Sequence, residues 1–227
     1  MKIGILETGG PPPGLVEPFG TYADMIRALL GDVRYDFTSY DVQAGALPPV
    51  EDNDAYILTG SPAGVYDDLP WIGDLIDWLR GAKGKAKLVG ICFGHQIMAE
   101  AFGGHTQKSD KGWGIGLHRY QVHERASWMD DVASFAIPVS HQDQVTLQPP
   151  HSRVLAGSPF NRFGLLAYDD QPAISFQCHP EFEPAYAQAL IEARRERLPD
   201  PDAAIESLEQ PDDRARLAEW IRRFLDG

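Results

Sequence analysis

Cysteine is almost absent from this chain of 227 residues: Cys92 and Cys178 are the only two. A disulfide scaffold is therefore excluded, and a reducing compartment is expected. Basic residues are also scarce, 20 Lys and Arg against 33 Asp and Glu, for a formal net charge of −13. That field repels phosphate backbones, and a nucleic-acid binder would need a local basic patch. The nearest clusters, Lys108 to Lys111 and Arg194 to Arg197, are short and interrupted by acids. No apolar run approaches the roughly 18 residues of a membrane span. The opening MKIGILETGG reads as a strand rather than a signal sequence. The expectation is a cytoplasmic protein engaging neither membrane nor nucleic acid. Gly81-Ala82-Lys83-Gly84-Lys85 lacks the spacing and hydroxyl residue of a phosphate loop, and no GxGxxG opens a helix. No cofactor is expected.

What is present is an apolar core, with 43% hydrophobic residues. Strand-like runs alternate with helical patterns over the first hundred residues. Lys2 to Glu7 precedes the turn-rich GGPPPG of Gly9 to Gly14. Thr21 is placed as an N-cap for a helix carrying Tyr22, Met25, Ile26, Leu29 and Leu30, with Gly31 as its stop. Val33 to Phe37 alternates like a half-buried strand, and Ala55 to Leu58 is a buried one. Pro70 opens a helix that buries Trp71, Ile72, Leu75, Ile76 and Leu79 and closes at Gly81. Lys87 to Cys92 runs directly into another helix, through Phe102, stopped by Gly103-Gly104. This rhythm predicts an α/β fold, a mostly parallel sheet with helices on both faces.

The later half adds strands at Gly114 to His123, Ala136 to Val139, Arg153 to Ala156, Gly164 to Tyr168 and Ala173 to Cys178. Asp169 to Pro172 is read as a hairpin turn between the last two. Helices are expected from Pro184 to Arg197 and from Asp212 to Leu225. Leu217, Trp220, Ile221, Phe224 and Leu225 form an apolar stripe, best buried on the parent domain.

The sharpest chemical signal is Gly90-Ile91-Cys92-Phe93-Gly94-His95-Gln96. A buried strand delivers Cys92 to a strand-to-helix turn, with a glycine two residues to either side, the spacing of a nucleophile elbow. The helix that follows points free N–H groups at the sulfur and favours the thiolate. As a plain core residue, Cys92 would leave those flanking glycines without a purpose. A thiol nucleophile needs a base and the base an orienting group. His179-Pro180-Glu181 supplies both. If the chain stays extended through Pro180, period-two alternation puts His179 and Glu181 on one side and Cys178 on the other, in the core. Gln177 and Glu183 stand as further candidates for the orienting role. His95 lies along the helix rather than before the sulfur, and Cys92, His95, Cys178 and His179 lack the spacing of zinc modules. Gly60-Ser61, with Gly64 soon after, follows a buried strand and could offer backbone amides to an oxyanion, although such glycines often only make a turn.

Cys92, His179 and Glu181 in this chain order, the GICFGHQ segment, and Ser140-His141-Gln142-Asp143-Gln144-Val145 together resemble class I glutamine amidotransferases, from about Lys2 to about Ala193. The likeness is greatest to the GMP synthase-type glutaminase domain and to free-standing γ-glutamyl peptidases. It implies a flavodoxin-like three-layer sandwich with a small antiparallel β portion, and cleavage of a γ-glutamyl amide through a thioester on Cys92. His179 would exchange protons and Glu181 orient its ring. Gly60, Ser61 and the Phe93 amide would form the oxyanion hole. Ser61 stands where the family has glycine, which a backbone donor tolerates while φ stays negative. Gln96, Ser140, His141 and Asp143 would contact the substrate. Ammonia would pass to an acceptor, on a separate synthetase subunit in the biosynthetic case, or water would be the final acceptor. The rival is a non-catalytic binding member of the fold, against which the intact Cys92, His179 and Glu181 set argues. Residues 1–197 are expected to form the amidotransferase domain and 198–227 a helical extension packed on it.

Overall fold

The computed structural model describes residues 1–31 and 33–227. The parallel half of the sheet comes from β1 (Lys2–Glu7), β2 (Asp36–Asp41), β3 (Ala55–Leu58) and β4 (Lys87–Ile91). Helices α1 (Pro13–Phe19), α2 (Tyr22–Leu30), α3 (Pro70–Ala82) and α4 (Phe93–Ala101) alternate with these strands. The second half supplies β5 (His105–Lys108), β6 (Gly114–Val122), β7 (Ser134–His141), β8 (Asp143–Leu147), β9 (Ser152–Gly157), β10 (Leu165–Tyr168) and β11 (Ala173–Phe176). The chain ends in α5 (Pro184–Ala193), α6 (Pro201–Ser207) and α7 (Arg214–Asp226).

Among the described residues nine strands form one sheet in the order β2-β1-β3-β4-β11-β10-β9-β6-β7, and β5 pairs with β8 separately. From β2 to β11 the pairing is parallel, and from β11 to β7 antiparallel. The late strand β11 thus inserts beside β4, which brings the end of the His179 segment to the Cys92 turn. Both lie at the C-terminal ends of parallel strands, where open α/β sheets place their sites.

The two sheet faces follow from alternation along each strand. Ile3, Ile5, Ile57, Val89 and Ile91 face α2 and α7, in a core shared with Ile26, Leu30, Leu217, Trp220 and Leu225. Leu6, Tyr56, Leu58 and Leu88 face α3 and α4, among Leu75, Leu79, Phe93, Ile97 and Met98. A third cluster joins Tyr22 and Met25 to Phe182, Tyr186, Leu190 and Leu208. The stripe of α7 is therefore core material, and Lys87 Nζ anchors the helix end through the carbonyls of Phe224 (3.2 Å) and Leu225 (2.7 Å). No helix among the described residues is long and apolar enough to cross a membrane.

Local signals explain most boundaries. Thr21 and Asp24 form a reciprocal capping box, and Gly31 stops α2 at φ +90°. Pro70 is the first residue of α3, and Gly104 N bonds Ala99 O at 2.8 Å beyond α4. The hairpin at Asp169 to Pro172 pairs Tyr168 with Ala173. The strand expected at Val33 to Phe37 lies later, at Asp36–Asp41, with Val33 fully exposed. Its register against β1, Lys2 opposite Asp36 to Glu7 opposite Asp41, overrides the apolar alternation.

Trp220 is wholly buried, stands edge-on to Phe135 at 5.4 Å, and donates its Nε1 proton to Asp130 Oδ1 at 2.6 Å. Trp220→Ala is expected to lower stability by about 3–5 kcal/mol, measured by urea unfolding, with a single transition for the whole chain. A separate early transition for the C-terminal segment would contradict the shared core.

Candidate active site

β4 ends at Ile91 and α4 begins at Phe93, so Cys92 makes the whole turn, at φ +54° and ψ −102°. The two nearby glycines have a geometric reason. A Cβ on Gly90 would lie 2.6 Å from both Gly94 O and Met98 Sδ, and one on Gly94 would lie 2.6 Å from Leu58 O. Only bare backbone lets β4, α4 and β3 converge this closely. Cys92 N donates to Phe176 O at 2.8 Å, and Gly94 N to Thr59 O at 3.2 Å. Cys92 is 6% exposed, at the head of a helix whose first amides point toward it.

β11 leaves the sheet at Phe176, earlier than the expected Cys178. The chain then bends instead of staying extended: Phe182 N donates to His179 O at 3.2 Å, closing a turn with Pro180 and Glu181 at its centre. Proline's fixed φ favours that turn position. His179 and Glu181 do meet, Nδ1 to Oε1 at 2.7 Å, through the turn and not by strand alternation. His179 N is anchored to Pro138 O at 2.9 Å, and its ring stacks on Phe182 at 3.8 Å and 7°. The second ring nitrogen, Nε2, lies on the side away from Glu181, where the Cys92 side chain is its neighbour. Burial works against the imidazolium, yet the facing Cys92 and Glu181 charges outweigh it and move the His179 pKa upward. Cys178 is completely buried in the core, where desolvation pushes its thiol pKa up.

Gly60 packs beside both Cys92 and His179. A Cβ there would stand 3.2 Å from His179 Cε1 and 3.7 Å from Cys92 Cβ. Thr8 fixes this loop, its hydroxyl donating to Thr59 O at 2.9 Å while its amide donates to Thr59 Oγ1 at 2.9 Å. Ser61 keeps a φ outside the positive range, so a side chain there meets no backbone penalty. Among the described residues the amides of Ser61 and Phe93 have no acceptor. The Phe93 side chain itself is buried against Trp71, at 5.5 Å.

A cavity of about 280 Å³ opens over Cys92, between the Ser61–Asp67 loop and the Ser140–Asp143 segment. Gln96, 3% exposed, spends its two Nε2 protons on Asp143 O (2.9 Å) and Gln177 Oε1 (3.2 Å). Its Oε1 is left toward the cavity. His141 Nδ1 donates to the same Asp143 carbonyl at 3.0 Å, and burial pushes its pKa down to about 3, so the ring is neutral. Asp143 is thereby clamped by its backbone. Burial moves its carboxyl pKa upward, with the nearby Tyr66 hydroxyl working the other way. Ser140 accepts from Arg194 at 3.3 Å.

Sequence reasoning passed over Tyr66, Trp113, Lys108, Arg194 and Arg197, all of which line this cavity. The two short basic clusters noted in the chain converge here from β5 and from beyond α5. His95 lies away from the sulfur: its Nδ1 meets Ser175 Oγ at 2.8 Å, and burial drives its pKa to about 3. Gln177 bonds Gln96, and Glu183 is exposed, so neither reaches the His179 ring. Among the described residues no three His, Cys, Asp or Glu side chains gather as a metal site.

The class-I glutamine amidotransferase model matches residues 15–194. A glutamine amidotransferase-like protein of Schizosaccharomyces pombe is 30% identical over 243 residues, covering 98% of each chain. Gamma-glutamyl peptidase 4 of Arabidopsis thaliana is 28% identical over 72% of this chain and 69% of its own. A glutamine-hydrolyzing GMP synthase subunit from Ignicoccus hospitalis is 30% identical over 64% of this chain and 77% of its own. The solved glutamine amidotransferase of Thermotoga maritima superposes with a TM-score of 0.80, at 18% identity, covering 100% of this chain and 99% of that one, a likeness of fold. The chain shares the flavodoxin-like α/β architecture of that solved structure, and it belongs to the class-I glutamine amidotransferase family.

Proposed function

We propose that the chain hydrolyses a γ-glutamyl amide through a γ-glutamyl thioester on Cys92. The observation that carries this reading is a thiol on a strained elbow facing a buried histidine whose other nitrogen is held by Glu181 at 2.7 Å. The Cys92 sulfur attacks the γ-carbonyl carbon, forming a C–S bond. The oxygen becomes an oxyanion, met by the free amides of Ser61 and Phe93, where one such donor is worth about 10²–10³ in rate. His179 gives a proton to the leaving nitrogen, the C–N bond breaks, and ammonia or an amine departs. Water then surrenders a proton to His179 and attacks the thioester, releasing glutamate and restoring the thiol. Glu181 keeps the ring in the tautomer this requires. Gln96 Oε1 and the Asp143 carboxylate suit the substrate's ammonium, with Ser140 and His141 completing that wall. Residues 1–197 carry this chemistry in the reading, with 198–227 as an extension.

In this reading a separate synthetase subunit would supply the acceptor for ammonia. Charge favours a second reading, a stand-alone γ-glutamyl peptidase on glutathione-like substrates. Lys108, Arg194 and Arg197 line the cavity, and among the described residues none of them pairs with a carboxylate. In a chain of net charge −13, such a convergence suits a substrate with more carboxylates than glutamine. Glutamate release from glutamine and, separately, from glutathione decides between the two, with Cys92→Ser as control. Release from glutamine alone identifies an ammonia donor, and release from the peptide a stand-alone hydrolase. Release from neither, with fully folded protein, overturns both.

Cys92→Ser and His179→Ala are each expected to lower kcat by at least about 10³-fold while the fold is kept. Full activity in Cys92→Ser together with loss in Cys178→Ser would identify the wrong thiol. Because the His179 pKa is raised, its proton is retained below that value and lost as pH climbs through it. The kcat/KM profile should therefore stay level through neutral pH and fall on the alkaline side. Glu181→Gln, milder than the other two, should draw that fall toward lower pH. An alkaline limb that stays put in Glu181→Gln would remove Glu181 from its assigned role.

A further inference from the structure

The His179-Pro180-Glu181 turn is gripped from outside by residues beyond the family match, which ends at residue 194. Arg214, the first residue of α7, donates from Nε to Pro180 O at 3.0 Å. Its Nη2 lies 3.9 Å from Glu183 Oε1. One guanidinium therefore spans Glu181, bound to the residue before it and paired with the one two residues after. Arg214 is itself held at a fixed height. The preceding Asp213 brackets Ala136 of β7, its amide donating to Ala136 O at 2.8 Å and its Oδ2 accepting from Ala136 N at 2.8 Å. Two residues along β7, Pro138 O takes the His179 amide at 2.9 Å. The same strand thus sets the position of the imidazole's backbone and of the guanidinium that holds the next peptide.

A turn with a single closing hydrogen bond, here at 3.2 Å, is weakly defined by itself. Glu181 needs more than that. It is 2% exposed, and among the described residues its Oε2 has no partner, so only Oε1 and the backbone fix its direction. A buried carboxylate with one free oxygen can swing about its side-chain bonds unless the backbone beneath it is rigid. The Arg214–Pro180 bond provides that rigidity, and a charged donor makes it about twice as strong as a neutral one.

We propose that Arg214 is a positioning residue for the triad, and that the C-terminal extension thereby completes the active site. It acts on kcat through Glu181 and His179, and touches no part of the cavity over Cys92. The inference rests on the triad reading given above. Behind the turn, Glu181 and Arg214 share the lining of a second cavity, of about 350 Å³, with Phe19, Met25 and Leu29. A small cation can enter where the guanidinium is removed.

The test compares wild type, Arg214→Met, Arg214→Lys and Ser207→Ala. Ser207 ties the same extension to β6 through its hydroxyl, which accepts from Leu117 N at 2.8 Å, without touching the turn. Arg214→Met is expected to lose about tenfold in kcat with KM within about twofold. Added guanidinium should restore part of that loss, Arg214→Lys should fall between, and Ser207→Ala should keep the wild-type kcat. If Arg214→Met does not fold, Arg214→Lys is read in the same way. Iodoacetamide alkylation of Cys92 at neutral pH, located by mass spectrometry, supplies a readout that needs no substrate. It should slow several-fold in the Arg214 variants and not in Ser207→Ala. Unchanged kcat and alkylation in the Arg214 variants, or a loss that guanidinium does not restore and Ser207→Ala shares, would overturn the proposal. A wild-type protein in which Cys92 is alkylated no faster than the core thiol Cys178 would overturn the triad reading itself.

Discussion

The site depends on one strained residue. A non-glycine residue at φ +54° and ψ −102° costs of order 1–3 kcal/mol and persists only where its surroundings over-determine it. Cys92 has such surroundings. Its amide is bound to β11, the amide two residues on is bound to Thr59 after β3, and α4 is buried at every position but Glu100. The strained residue thus couples three neighbouring parallel strands at their C-terminal ends. The insertion of β11 beside β4 follows the same logic. Without it, Cys92 N would have no acceptor and His179 would end far from the sulfur.

Burial supplies the second constraint. His179 and Glu181 are 3% and 2% exposed, and a lone charge at such depth would cost several kcal/mol. The pair is tolerable because each partner neutralises the other at 2.7 Å, with a thiol placed to complete the network. Phe182, stacked flat on the imidazole, excludes water from one ring face. The rigidity of the turn beneath the pair then decides how much of that proximity is usable. This gives a reason for charged and polar anchors, Arg214 and Asp213, at the head of an amphipathic helix whose apolar face is already buried in the core.

Much of this was legible from residue order. The parallel strands, the Cys92 elbow and the capping of α2 follow from local rules of periodicity, glycine spacing and N-cap chemistry. The meeting of His179 with Glu181 was also legible, but for a reason that the fold replaces. Extended alternation and a turn both bring residues two apart together, and Pro180 is compatible with either. What could not be read depends on contacts distant in sequence. The register of β2 is set by β1, the β5–β8 pair joins segments about forty residues apart, and α1 begins at Pro13, within the Gly9 to Gly14 stretch that reads as turn. Lys108 and Arg194 are unremarkable in the chain because nothing local indicates that they converge on one cavity. Arg214 belongs to the same class: its partner is a backbone carbonyl, which no residue type announces.

Three buried histidines show how environment, rather than residue type, makes the chemistry. His95 gives Nδ1 to the neutral hydroxyl of Ser175, and His141 gives its own to a backbone carbonyl. Neither partner carries charge, so desolvation dominates and both rings are held neutral far below the ordinary histidine pKa. Their work is geometric: His95 fills the core beneath the elbow, and His141 fixes the peptide of Asp143. His179 is as deeply buried, and desolvation is again the largest single influence on it. A carboxylate on one side and the thiol on the other reverse the outcome and favour the imidazolium. Moving Glu181 by one residue, or letting its turn loosen, would convert His179 into a histidine of the other kind. The difference between a histidine held neutral and one favoured as the imidazolium in this protein therefore lies in the short turn around Pro180, and in whatever holds that turn in place.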